Sequence, residues 1–241
     1  MSTALRSLMG GRWIEGTGKP DILVNPVNGT ALAHASSQGL NLAAGLQQAR
    51  SASAALRHLG YAGRAALLAK TAEVLTQHRA RYFEIALLNS GSPEPDASID
   101  IDGSLFTLKY FARAGAALGN ANYLAEGDKL QLSEDGSFAA THIDVPVRGA
   151  AVHINAFNFP AWGLREKAAP TLLSGVAVVA KPATATAWLT CEMIKDVHEA
   201  GQKCTAIRRA LVPRPLLPAA RKALLARIAA LSANGANRGT A

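Results

Sequence analysis

The chain has 241 residues, 49% of them hydrophobic and 17% charged, with a formal net charge of +8. That supplies ample apolar material for a core, while only two cysteines, Cys191 and Cys204, exclude a disulfide framework or a cysteine-built zinc cluster, and no metal site is expected. No apolar run is long enough to span a bilayer and residues 1–10 do not form a secretory signal, so the expectation is a cytoplasmic protein with reduced thiols and no membrane partner.

In chain order, Arg12-Trp13-Ile14 between glycines reads as a short strand, and Asn25-Pro26-Val27-Asn28-Gly29 as a turn. Residues 41–59 are rich in Ala and Leu and open on a capping-type Asn, which predicts a helix. A second, longer helix is predicted over 63–88, with Leu67, Leu68, Val74, Leu75, Ile85 and Leu88 on roughly one face. Ser90-Gly91-Ser92-Pro93-Glu94-Pro95 ends it, and Leu105, Leu108 and Phe111 mark a third helix over 99–118. Residues 137–147 alternate like a strand, with Val145-Pro146 suiting an edge.

The pattern changes at Gly149. Residues 150–154 and 176–180 are buried-strand candidates, and 160–173 and 186–200 are helix candidates. Strand–helix–strand–helix order implies a parallel α/β unit. Residues 218–231 suggest a last helix, with Leu224, Leu225, Ile228 and Leu231 on one side, and the Gly-, Ala- and Asn-rich 232–241 a disordered tail. Charge is uneven: residues 1–199 hold 17 basic and 17 acidic side chains, residues 200–241 hold 8 basic and no acidic ones. A basic tail can contact nucleic acid, but no aromatic follows Trp188 and no recognition motif is present, so no nucleic-acid role is expected. The simpler view is that the balancing acids belong to sequence this chain does not contain.

Three segments can carry chemistry. Asn155-Ala156-Phe157-Asn158-Phe159-Pro160 and Ala180-Lys181-Pro182-Ala183-Thr184 each follow a predicted strand, at the carboxyl end where α/β sheets bind ligands. In Gly201-Gln202-Lys203-Cys204, a thiol lies in a polar, basic stretch that favours thiolate. Each alone has a blander reading: a turn-forming Asn, a solvated strand-end Lys, an inert thiol.

Together and in this order they resemble the aldehyde dehydrogenase superfamily, whose motifs read roughly Pro-Trp-Asn-Phe-Pro, Lys-Pro-Ala and Gly-Gln-x-Cys. Ala156 and Phe157 replace the usual Pro-Trp, as in the members that oxidise CoA-linked semialdehydes in aromatic-ring degradation, which this wording resembles most. The resemblance implies an α/β fold: N-terminal helices packed on an incomplete Rossmann-like parallel sheet. It implies three regions: 1–200, helices and part of the cofactor domain; 201–231, a remnant of the catalytic domain; and 232–241, the tail. Cys204 matches the nucleophile, Asn158 the oxyanion donor and Lys167 a second active-site lysine. Lys181, Thr184, Phe157 and Ala156 match the cofactor side. A carboxylate in the Thr184 position would repel a 2′-phosphate, so NADP is favoured and NAD is the alternative; the competing reading is that Thr184 caps a helix. The implied substrate is an aldehyde, possibly CoA-linked. The family is homo-oligomeric and exchanges strands through a C-terminal tail this chain lacks, although 137–147 resembles the strands that receive it.

Lys181 and Cys204 lie far closer in sequence than the family spaces them. The intervening strands, the pyrophosphate turn and the glutamate base find no match, and the segments before and after the gap meet at Ala200-Gly201. A helix over 186–200 is about 22 Å long and runs away from the carboxyl edge that holds Asn158. The expectation is a chain related to dehydrogenases in which the thiol misses its oxyanion donor and turnover is slight or absent; the alternative is a non-catalytic truncated fragment or a partner-dependent remnant.

Overall fold

The computed structural model describes residues 3–204, with side chains through Gly201, and the isolated helical positions Pro218 and Lys222. The chain divides into two compact units, residues 1–201 and 202–241. The rest of the helix expected over 218–231, and the tail, lie outside the described residues.

Five short strands open the first unit: β1 (Thr3–Leu5), β2 (Ser7–Met9), β3 (Arg12–Ile14), β4 (Asp21–Val24) and β5 (Ala31–Ala35). β2 and β3 form an antiparallel hairpin whose two central residues, Gly10 and Gly11, have φ of 56° and 73°. Glycine meets that left-handed requirement without a steric cost. β4 and β5 flank the expected Asn25–Gly29 turn, in which the Asn25 side chain accepts the Val27 N–H at 2.9 Å. β1 adds parallel to β5.

Four helices follow: α1 (Leu42–His58), α2 (Gly60–Gln77), α3 (Arg79–Ser90) and α4 (Glu94–Ala117). The Asn41 side chain accepts the Ala44 N–H and caps α1, as its type foretold. The single helix expected over 63–88 is instead two. His78, at φ −106° and ψ 11°, breaks it. The break lets α3 reorient so that Arg79 forms a two-bond ion pair with Asp102 and Tyr82 buries its ring and bonds Asp196. These tertiary partners outweigh an apolar periodicity that runs on through the break. α4 starts five residues earlier than expected: Gly91 closes α3 at φ 67°, Pro93 takes the cap position of the next helix and Pro95 its first turn, where a missing N–H costs nothing.

α2 and α4 pack along their lengths, with Leu68, Leu75, Ile101, Leu105 and Leu108 in the main core. β6 (Leu124–Gln131) and β7 (Ala139–Asp144) form an antiparallel hairpin. β6 is too polar to have been read as a strand, and the apolar side chains Leu130, Phe138 and Ile143 of the hairpin region stay exposed. Then come β8 (Ala150–Ile154), α5 (Trp162–Leu173), β9 (Ala177–Lys181), a 3-10 turn (Thr184–Thr186) and α6 (Ala187–Cys204). β8 and β9 pair in parallel, Ile154 opposite Lys181, which is the α/β unit expected from the strand–helix alternation. Ser53 on α1 ties the pair to the helices: its hydroxyl donates to the Gly149 carbonyl at 2.6 Å and accepts the Ala177 N–H at 2.7 Å. α6 runs four residues beyond its expected end at Ala200, through residues that include good helix formers. No described helix is long and apolar enough to cross a membrane.

Candidate active site

The Asn155 N–H donates to the Lys181 carbonyl at 3.0 Å, extending the β8–β9 register by one bond. The two motif segments therefore leave the same carboxyl edge side by side. The turn after Asn155 carries Ala156, Phe157 and Asn158, all exposed. Asn158 lines a cavity of about 240 Å³ with Ser90, Asp96, Asp100 and Phe159. Its side chain makes no hydrogen bond among the described residues, so its amide is available to a ligand.

The main chain of this turn is held from three sides. Thr186 donates to the Phe157 carbonyl at 3.0 Å, and Thr190 on α6 to the Pro160 carbonyl at 2.8 Å. Asp100, on α4, accepts the N–H groups of Ala161 and Trp162 at 3.1 and 2.6 Å. Arg165 donates to the Ala161 carbonyl at 3.3 Å. Burial pushes the Asp100 carboxyl above the ordinary aspartate value, against the two N–H groups and the Arg165 charge. Burial lowers Arg165 to about 10, which keeps it charged at neutral pH. Sequence reading missed both. The signal was there: Asp100 interrupts the buried stripe of Ala97, Ile101, Leu105 and Leu108, and Arg165 that of Leu164, Ala168 and Ala169. A charge inside an apolar stripe marks a specific partner.

Lys181 ends β9 exposed and without an ion pair among the described residues. Thr184 opens the 3-10 turn, half-buried, and no side-chain bond caps that turn, so the capping alternative has no support there. Lys167 is exposed on α5, where its ammonium bonds the Gly163 carbonyl at 2.9 Å and the Glu166 carboxylate at 2.7 Å. Asn155 is buried with neither side-chain polar atom partnered. Cys191 is half-buried against the Arg6 carbonyl; burial and then Glu192 raise its thiol, which disfavours a nucleophilic thiolate there.

The Cys204 side chain lies outside the described residues. The helix that leads to it is described, however, and its direction is fixed by α3. Near the start of α6, Asn89 at the end of α3 donates to the Ala185 carbonyl. Further along, Asp196 takes bonds from Arg81 and Tyr82 at the beginning of α3, each 2.5 Å long. The two helices are thus antiparallel, and α6 leaves the Asn158 turn behind. Thr186 and Gly201 are about 22 Å apart along it at the helical rise.

A model of the aldehyde dehydrogenase family matches residues 13–201. The chain is 55% identical over 192 residues to 3,4-dehydroadipyl-CoA semialdehyde dehydrogenase from Aromatoleum evansii, a match that covers 79% of this chain and 37% of that relative. It is 31% identical over 152 residues to 4-trimethylaminobutyraldehyde dehydrogenase B from Danio rerio, covering 62% and 27%. Among solved structures, the NAD-dependent benzaldehyde dehydrogenase from Corynebacterium glutamicum superposes with a TM-score of 0.65 at 24% identity, over 82% of this chain and 42% of that one. The NADP-dependent glyceraldehyde-3-phosphate dehydrogenase from Bacillus halodurans C-125, complexed with NADP, gives 0.66 at 21% identity, over 83% and 41%. These two show the shared α/β fold. The matches span less than half the length of each of these relatives.

Proposed function

This chain belongs to the aldehyde dehydrogenase family, and from that membership we propose that it is the aldehyde- and nucleotide-facing portion of an NAD(P)-dependent oxidoreductase acting on a CoA-linked semialdehyde. One observation carries the reading: the unpartnered Asn158 amide and the unpaired Lys181 ammonium leave one carboxyl edge, joined by the Asn155-to-Lys181 main-chain bond. The 55% identity to a CoA-semialdehyde dehydrogenase supports the substrate class.

The residues present suit a dinucleotide on one side of its cleft. Lys181 offers a point charge for a phosphate or a donor for ribose hydroxyls, and the uncharged Thr184 beside it tolerates a 2′-phosphate, which favours NADP over NAD. Ala156 and Phe157 complete that side. When bound, a nicotinamide dinucleotide supplies the two-electron acceptor. The chain's own part is to polarise the aldehyde. Asn158 donates its amide N–H to the carbonyl oxygen, which takes up the π electrons when a thiolate bonds to the carbon. One such donor is worth about 10²–10³ in rate. Lys167 lies one to two turns along α5, its ammonium paired with the Glu166 carboxylate and able to turn from it to a bound substrate.

The course of α6 argues that this chain does not complete the reaction by itself, because catalysis needs placement within about half an ångström. The test is to incubate the chain with a semialdehyde and NADP⁺ or NAD⁺ and follow the reduced nicotinamide. No turnover is expected, with NADP⁺ binding weakened by Lys181→Ala. Steady turnover that Cys204→Ser abolishes would overturn the claim of incompetence; nucleotide binding indifferent to Lys181 would sink the cofactor assignment.

A further inference from the structure

The Asn158 side chain makes no hydrogen bond among the described residues. The turn that carries it is nevertheless bonded at the Phe157 and Pro160 carbonyls, at both polar atoms of the Ala161 main chain, and at the Trp162 N–H. The central member of that set is Asp100, only 6% exposed, whose two carboxylate oxygens each take one N–H.

Its placement is unusual for a helix cap. α5 begins at Trp162, and its cap position is Ala161, which has no side-chain acceptor. Pro160 has no N–H at all, so after Phe159 the next main-chain donors are those of Ala161 and Trp162. An ordinary cap is a Ser, Thr, Asp or Asn at the helix start itself. Here the acceptor arrives from α4, 61 residues earlier. A buried carboxylate is a costly way to satisfy two N–H groups that a local serine also serves. What the distant carboxylate adds is a fixed relation between the turn and α4, the helix that contributes Asp96 and Asp100 to the wall of the Asn158 cavity. The Trp162 ring strengthens the same contact: it lies against Gly103 of α4, where an added Cβ would sit 3.1 Å from the indole, and its N–H donates to Thr107 at 3.0 Å.

We propose that Asp100 is a positioning residue for Asn158: by holding the Ala161 and Trp162 N–H groups from across the α4–α5 interface, it fixes where the Asn158 amide points in the cavity. The proposal rests on the reading of Asn158 as the donor to the aldehyde oxygen. Asp100 touches no reacting atom and acts through the main chain.

The test uses the 241-residue chain with ¹⁵N-labelled asparagine and backbone amides, the Asn158 side-chain lines being identified by their loss in Asn158→Gln. In Asp100→Asn, which keeps the size and replaces one acceptor by a donor, hydrogen exchange at Ala161 and Trp162 is expected to rise about ten-fold or more, as for loss of a charge-assisted bond. The single pair of Asn158 side-chain lines is expected to broaden or split, while the amide of Leu75 is unchanged. Thr190→Val, which removes only the Pro160 bond, is expected to shift the Asn158 lines in a smaller degree, and decides the matter should Asp100→Asn not fold. Faster exchange at Ala161 and Trp162 with unmoved Asn158 lines would overturn the proposal, since Asp100 would then only cap α5. So would unmoved Asn158 lines in a Thr190→Val chain standing in for an unfolded Asp100→Asn. Failure of the dehydrogenase reading shows separately, as Lys181 and Thr184 lines that stay put on addition of NADP⁺ to the unaltered chain.

Discussion

In the α2–α4 helix pair, Leu75 and Ile101 have no exposed surface at all; in the β8–β9 pair, Val152 and Ile154 keep 61% and 75% of theirs. Both pairs are regular and both were foreseen in outline, yet they are held by different forces. The helices bury a continuous apolar face. The strands have a polar attachment reaching over from α1, the Ser53 hydroxyl at the entry to both; between helices, Arg64 on α2 donates to the Leu173 carbonyl at the end of α5 and to the Leu56 carbonyl at the end of α1. The candidate chemistry lies at the carboxyl edge of the second region. Substitutions should separate the two.

The largest effect is expected in the helices. Ile101→Ala empties a site with no solvent contact and should cost about 2–5 kcal/mol in urea unfolding. Next comes Arg64→Leu, which leaves the Leu173 carbonyl without its side-chain donor; about 3 kcal/mol is expected. Ser53→Ala should cost about 1–3 kcal/mol. Its more telling mark is faster hydrogen exchange at Ala177 with Leu75 left protected; equal acceleration at both would merge the two regions into one cooperative block. Val152→Thr, at an exposed strand position, should fall within about 0.5 kcal/mol, and a large loss there would mean that the strand face is covered in solution.

The smallest effect is one of pH. Burial and then the Lys167 charge lower His153 on β8 below the ordinary histidine value of 6.5. Between the lowered value and 6.5 the unfolded chain binds the extra proton and the folded chain does not, so stability rises with pH there and is lost as pH falls. Unfolding midpoints measured on either side of 6.5 should show that slope, and His153→Gln should flatten it.

Much of this division was legible in advance because period and motif report different things. The Asn41 cap, the Asn25–Gly29 turn and the parallel strands around α5 are local in origin, and the structure has them where expected. Asn158 and Lys181 were singled out by their motif neighbours, and the shared carboxyl edge follows from parallel pairing. Other features were set by partners distant in sequence. His78 breaks a helix that periodicity runs straight through, for the sake of the Arg79–Asp102 and Tyr82–Asp196 contacts. β6 forms from Glu126, Asp128 and Lys129 because β7 pairs with it, and no strand propensity announces it. Asp100 and Arg165 look like blemishes in apolar stripes until the turn they hold is in view. Cys204 stood out from its motif, but the straight run of α6 past Ala200 is a matter of tertiary course that a motif does not encode.

The borrowed cap on α5 also bears on the order of assembly during synthesis. A bond between Asp100 and Trp162 closes a loop of about sixty residues, whose entropy must be met before the contact can reward it. The Thr186 and Thr190 contacts close only after those residues too have left the ribosome. The helical layer, built from near neighbours, can settle while the nascent chain is still short. The asparagine turn can lock only once α6 has emerged, making it among the last parts of the molecule to mature.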